Sequence, residues 1–439
     1  MIIELPILYL IIPLLLLAWL AWQRIPESLM LVAFLAPSYL IKSNLWIIPT
    51  TFLELAIYTV AVVCIIKFLF NKNKDDLRLD FYSKIKPLFW ILVIWLAVAV
   101  LAAIVSPDKR LSLGVLKGWF IDPVIFLSLL LTAVKTPKDW LRIIIALWAS
   151  ASLISAYGLI EYGLGWGMQS DGLLNSLFQP ANYVAMFIVP LLFLGVALII
   201  ASWPAPISYL NVFLLLINLL ALFYTKSYGG FLALMAGVLA FTWFYLADHL
   251  SLRRKILSYI FIGITVAVLL VIPQPKFQKL ISGSDRTSLS TRQEIWQTSI
   301  ILIKEKPIFG WGLGNFQESY RSRVKQVTNK PLEWQVVKAH NLYLNLWIEM
   351  GLLGLLAFIY LVGKFLYLLF QQLKTSTAGR RLFVSALIAA MLSLLIHGLV
   401  DTPYFKNDLS LVFFILIGLG LLIKYYQDWD LIINYRIHS

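Results

Sequence analysis

Cysteine is nearly absent. Cys64 is the single one in 439 residues, and it lies within an apolar run. That count excludes a disulfide-built secreted scaffold and any cysteine-based metal centre. Charge is scarce too, at 13% of residues, where soluble domains carry about a quarter. Hydrophobic residues make up 61% and the mean hydropathy is +0.85. Length alone would allow two or three soluble domains. Composition forbids them, because too few polar residues remain to cover the apolar surface. The chain therefore reads as an all-α, polytopic integral membrane protein. Sixteen Trp, 20 Tyr and 27 Phe suit many membrane–water boundaries, where amphipathic rings settle. A net charge of +14 would suggest nucleic acid in a soluble protein. Here it points to cytoplasmic loop bias and anionic membrane lipid, with no nucleic-acid partner.

A spanning helix needs about 20 largely apolar residues. Thirteen candidate stretches occur, near 5–22, 26–41, 46–70, 87–105, 118–134, 143–161, 181–201, 208–225, 229–247, 256–272, 341–363, 382–400 and 408–424. This gives about 12–13 transmembrane helices. Pro26, Pro37 and Pro49 interrupt the first three, leaving room for a re-entrant segment. The first run lacks a basic n-region and a small-residue cleavage site, so no cleavable signal peptide is expected. Short basic loops fall at Lys72–Lys86, Lys135–Arg142, Arg253–Lys255 and Lys374–Arg381, with a tail from Lys424. All lie on one side if the spans alternate, and the positive-inside rule makes that side cytoplasmic. The chain divides into N-terminal transmembrane helices over 1–272, an extracytoplasmic loop over 273–340, and C-terminal transmembrane helices with a cytoplasmic tail over 341–439.

The long loop holds eleven lysines and arginines against five carboxylates. Long loops translocate regardless of charge, so the topology stands. A basic segment held beside a bilayer suits phosphate groups at headgroup level, or simple attraction to anionic lipid. Ser290 with Gln293, and Thr291 with Glu294, fit capping boxes and predict a helix start near Arg292. Trp296, Ile300 and Ile303 recur at helical spacing until Pro307. Phe316, Tyr320, Val324 and Val327 form a second stripe, with Arg321, Arg323 and Lys325 between them. Two amphipathic helices lying along the membrane surface are expected. Gly310, Gly312 and Gly314 read as turn glycines, since no strand precedes them and a P-loop has other spacing.

His340 stands where this loop enters a membrane helix. Asn341, Asn345 and Glu349 follow on one face. A carboxylate two turns into an apolar helix is expensive unless paired or facing a wet cavity, so a crevice open to the outside is expected. Glu349 reads equally as a helix–helix hydrogen-bonding residue, and His340 as an interfacial cap. Glu54 and Glu161 could pair with basic residues or face the cavity, while Lys117 can snorkel to the headgroups. His397 and Asp401, four apart at a helix end, read as a helix-terminal pair or an acceptor entrance and are left out of the site. His249 and His438 flank basic cytoplasmic segments.

Four stretches together resemble the O-antigen ligase and polymerase (Wzy-C-like) superfamily of bacterial envelope glycosyltransferases. They are Thr291–Trp296 with Glu305–Phe316; His340-Asn341 with Glu349, Gly351 and Gly354; Gln179–Ala185, where Asn182 opens a helix; and His397–Asp401. They run from mid-chain to the end in the family's order. The family commonly carries a Ser-Arg-Gly or Ser-Arg-Ala element at the external end of a mid-chain helix. Here Thr225-Lys226-Ser227-Tyr228-Gly229-Gly230 stands there, with Tyr228 in place of the Arg and Lys226 as the substitute cation. Lys lacks the bidentate fork of Arg, so the exchange is not neutral.

The resemblance implies a GT-C-like fold in the bacterial cytoplasmic membrane with its active site facing the periplasm. It implies transfer of a glycan from an undecaprenyl diphosphate carrier to a hydroxyl of a glycan, lipid or protein acceptor. No cofactor and no metal are expected, and no Asp-x-Asp element stands in an external loop. Ligation is the first reading, repeat-unit polymerisation the alternative, and transport of lipid-linked sugars the third. Fixed cations aimed at a departing diphosphate lower the barrier. Arg292, helped by its helix dipole, is the first of these; Lys226, Arg286 and Arg321 assist. His340 is the candidate base for the acceptor hydroxyl, or alternatively a further phosphate contact. Arg292 and His340 form the expected catalytic pair. Asn182, Asn341 and Glu349 join Lys226, Arg286 and Arg321 as substrate-binding candidates.

Overall fold

A computed structural model describes residues 3–45, 48–70, 74–166, 172–178, 180–245 and 288–426. Among them the chain is helical nearly throughout: α1 (Ile7–Gln23), α2 (Ile25–Phe34), α3 (Phe52–Leu69), α4 (Lys74–Ile85), α5 (Phe89–Val105), α6 (Lys109–Ala133), α7 (Pro137–Gly163), α8 (Asn182–Ser202), α9 (Pro206–Thr225) and α10 (Tyr228–Tyr245). After the loop's α11 (Ser288–Glu305) and α12 (Phe316–Arg323) come α13 (Leu342–Lys374), α14 (Ala378–His397) and α15 (Asn407–Leu422). Nine described helices are long and apolar enough to cross a membrane, which bears out the polytopic all-α expectation. The candidate span at 256–272 and the basic run Arg253–Lys255 lie outside the described residues, as do Gln179, His249, Arg286 and His438.

The N-terminal stretches need correction. The candidate at 26–41 is a ten-residue helix followed by a 3-10 turn, Ala36–Leu40. Ten residues rise only ~15 Å, half of a hydrocarbon core. The run at 46–70 is not one element either. Its start pairs into a small sheet, with β1 (Ile3–Glu4) parallel to β2 (Ile41–Leu45) and β2 antiparallel to β3 (Ile48–Thr51). Thr51 and Glu54 then form a reciprocal capping box that opens α3. Glu54 also pairs with Lys117 at 2.8 Å, so both residues find each other rather than lipid headgroups.

The loops read as cytoplasmic meet at one end. Asp80 binds Lys84 at 2.9 Å and Lys135 at 2.6 Å. Asp139 takes Arg142 at 3.2 Å and Arg24 at 3.7 Å. Arg380 donates to the Tyr426 carbonyl and Tyr426 to that of Val134. The small sheet and the long loop occupy the opposite end. Of the spanning helices, α8, α14 and α15 are the most enclosed. The polar residues at their ends on the loop side are therefore held by rigid, central elements.

The apolar faces of the long loop's two helices pack against one another. Ile295, Leu302 and Ile303 of α11 bury together with Phe316, Tyr320 and Val324, Val336, Ala339 and Ile348 in a separate small core. Ile300 points away and is exposed. Tyr320 donates to Glu294 at 3.1 Å, and Glu294 also receives the Leu332 N–H.

Candidate active site

The α13 helix is broken at Gly351, whose φ is +71°. Carbonyls freed by a break inside a membrane must be satisfied by protein. The Gly-rich turn does this: Trp311 N–H donates to the Ile348 carbonyl at 2.7 Å and Gly312 N–H to that of Glu349 at 3.1 Å. Leu352 N–H returns a bond to Pro307 at 2.9 Å. The fit is so close that a Cβ on Gly351 would lie 1.9 Å from the Ile308 carbonyl oxygen. These glycines serve close backbone approach as well as turning.

Glu349, one turn into this contact, has no exposed side-chain surface. One oxygen holds Lys338 Nζ at 2.6 Å and the other accepts from Gly314 N–H at 3.1 Å. Lys338 Nζ in turn sits 4.7 Å from the Trp119 ring and 4.8 Å from Phe405. The carboxylate expected in a wet crevice is therefore sealed and fastens the loop to α13. Asn341 is a helix cap: its oxygen accepts from Tyr343 and Leu344 N–H, and its amide donates to the Leu399 carbonyl. Asn345 accepts from Ala339 N–H. These bonds fix the two residues flanking His340, whose own φ is +46°.

So positioned, His340 donates through its Nδ1–H to the ionised Asp401 Oδ1 at 2.9 Å. Asp401 is the centre of the site. Its other oxygen takes Asn182 Nδ2 at 2.9 Å and Arg292 Nη2 at 3.3 Å. Four separate elements thus deliver one group each: α8, α11, the entry to α13, and the turn after α14. Asp401 is set by that turn, in which its N–H bonds the His397 carbonyl. Tyr404 anchors the turn by donating to the Trp119 carbonyl at 2.7 Å. Burial raises the pKa of the Asp401 carboxyl, but the His340 hydrogen bond and the His340 and Arg292 charges outweigh it, holding it below the usual carboxylate range. His340 keeps a third of its side chain exposed and Arg292 about a seventh, while Asp401 is buried. Charge faces outward from a buried anion.

Arg292 lies in the second turn of α11, past the terminal N–H groups. The helix dipole expected to assist it falls off by there. Lys226 caps α9 in a left-handed conformation, φ +49°. Its turn packs on the same end: a Cβ on Gly229 would come within 2.9 Å of His397 Nε2. Arg321 stays within the loop, on the Trp334 carbonyl at 3.2 Å and near Glu318. Close to Asn182, Lys406 Nζ sits 3.6 Å from the Tyr183 ring and 5.0 Å from Phe178. Burial pushes its pKa down to about 8 against the pull of Asp408. Among the described residues, no group of three or more His, Cys, Asp or Glu is placed to hold a metal ion. Asp401, left out of the site in the sequence analysis, is its hub; its spacing from His397 and its place in the fourth resembling stretch were the signals available.

A sequence model of the O-antigen ligase family matches residues 213–359. That stretch contains Lys226, Arg292, His340 and Glu349 and ends before Asp401. It bears out the superfamily resemblance and, with the apolar helices, indicates a multi-pass bacterial inner-membrane protein. The chain is also 27% identical over 138 residues to an uncharacterized protein of Haemophilus influenzae, covering 28% of this chain and 35% of that one. The chain thus spans about a third of the length of the curated relative it matches.

Proposed function

We propose that this protein is a membrane glycosyltransferase of the O-antigen ligase type, moving a glycan from a polyprenyl diphosphate carrier to an acceptor hydroxyl on the outer side of the membrane. The observation that carries this reading is the convergence of Arg292, His340 and Asn182 on buried Asp401, at the end opposite the short basic loops. With Nδ1 tied to a carboxylate, the His340 imidazole is oriented and its Nε2 is left as the basic nitrogen. In the reaction the acceptor O–H gives its proton to Nε2 as its oxygen bonds the anomeric carbon. The bond from that carbon to the diphosphate oxygen breaks, and the electron pair leaves with the carrier. Negative charge grows on the diphosphate, where the Arg292 guanidinium offers a planar fork for phosphate oxygens. Lys226 supplies a second cation from the neighbouring turn.

The test is release of free polyprenyl diphosphate from a polyprenyl-diphosphate oligosaccharide by purified protein with acceptor present. One transferred unit per acceptor identifies a ligase and a ladder of products identifies a polymerase. Movement of intact donor between leaflets without release makes the protein a transporter and overturns the proposal.

A further inference from the structure

The start of α8 has no cap of its own. Its N-cap residue is Ala181, which offers no side-chain acceptor, where Ser, Thr, Asp or Asn would ordinarily close the first turn. Two contacts from the segment after α14 hold it instead. One is the bond from Asn182 to Asp401 at 2.9 Å. The other comes from Lys406, five residues further on, whose Nζ lies 3.6 Å from the centre of the Tyr183 ring. Phe178 and Tyr39 close round the same ammonium at 5.0 and 5.3 Å. Among the described residues this ammonium makes no hydrogen bond or ion pair, so the aromatic rings are what hold its charge. The backbone beneath it is fixed. Lys406 N–H donates to the Tyr404 carbonyl at 2.8 Å, its own carbonyl accepts from Ser410 N–H at 2.9 Å, and Tyr404 is anchored on Trp119. Lys406 is thus a strut from a rigid turn to an uncapped helix end.

We infer that Lys406 is a positioning residue of the transfer site: its ammonium, seated on the Tyr183 ring, clamps the first turn of α8 and so keeps Asn182 on Asp401. The inference rests on the glycan-transfer reading above, and Lys406 lies outside the stretch matched to the family. Asp401 orients His340, so slack in α8 reaches the reacting groups, where small misplacements are costly. The clamp depends on charge, because a neutral amine gives the ring quadrupole no cation to attract. The titratable groups facing Lys406 are Tyr183 of α8, Tyr39 of the 3-10 turn and Asp408 of α15, with Asp401 beyond Asn182. Burial brings its pKa down to about 8, so the amine is charged at neutral pH and loses its charge in mild alkali.

The experiment compares the full-length wild type with Lys406→Met and Lys406→Arg in detergent. It reads hydrogen exchange at residues 181–186 and release of polyprenyl diphosphate. Met keeps the length and fills the aromatic enclosure without charge; Arg keeps a charge that no working pH removes. Exchange at the start of α8 is expected to quicken about tenfold in Lys406→Met, as loss of one desolvated cation–π contact predicts, and to stay near wild type in Lys406→Arg. Turnover should fall about tenfold in Lys406→Met with donor KM unchanged. Wild-type turnover should also fall as pH rises through about 8, while that of Lys406→Arg holds level. Unchanged exchange in Lys406→Met overturns the inference, as does the same alkaline fall in Lys406→Arg. A rise in donor KM with exchange unchanged makes Lys406 a direct phosphate ligand and also overturns it. A wild type that releases no polyprenyl diphosphate, while Lys406→Met still loosens α8, leaves the clamp standing and counts against the transfer reading instead.

Discussion

Two carboxylates lie within the same end of this protein, and each holds a cation, yet they do opposite things. Glu349 is sealed, its partners are Lys338 and a backbone N–H, and the pair fastens the loop across the break at Gly351. Asp401 is equally buried, but its partners Arg292 and His340 reach toward solvent. A buried ion pair whose members are both enclosed can only lock. One whose cationic members remain accessible can present them, pre-oriented, to a ligand. The motif His340-Asn341…Glu349 thus divides into a reactive head and a structural tail.

Substitutions can test that division. The largest effect on transfer is expected from His340→Ala and Arg292→Ala, each lowering turnover by about 10²–10⁴-fold with a moderate fall in Tm, because Asp401 loses one partner and keeps the others. Wild-type turnover in either variant removes it from the site. Glu349→Gln should do the reverse. It strands Lys338 and lowers stability by roughly 3–5 kcal/mol, read as a fall in Tm or in folded yield; a fully stable but inactive variant would make Glu349 part of the chemistry.

Asp401→Asn lies between them, with turnover reduced on the order of 10²-fold and a moderate Tm loss at neutral pH. The sign of its pH dependence follows from the depressed carboxyl. Its stabilisation is present above the unfolded value of ~3.9 and lost as pH falls through the lower folded value. The Tm gap between wild type and Asp401→Asn should therefore close in acid, and a gap that persists there means the charge is not what stabilises. The smallest effect is expected from Lys226→Ala, a several-fold rise in donor KM, because a single lysine acts as a point charge beside an existing arginine. An unchanged donor KM would rule Lys226 out as the substitute cation.

Much of this is legible in the sequence. Arg292, His340 and Asn182 stand out as polar residues at the ends of apolar or amphipathic stretches, and the structure brings them within reach of one carboxylate. Arg321 shares their residue type and loop but remains apart on the Trp334 carbonyl, since which side of a short helix faces the membrane helices is not a local property. Asp401 stands out beside His397 but was left out of the site, because its partners are 61, 109 and 219 residues away in the chain. The small sheet escaped because its strands are only two to five residues long and sit at the edges of the apolar runs.

By itself, the sequence determined that this is a membrane chain, where its short basic loops fall, and which cations the long loop can offer. Those follow from composition, run length and charge distribution, quantities that each residue contributes independently. Only the tertiary structure decided that Asp401 gathers the reactive groups while Glu349 locks the loop. The pairing of charges depends on distances between helix ends, and packing sets those distances.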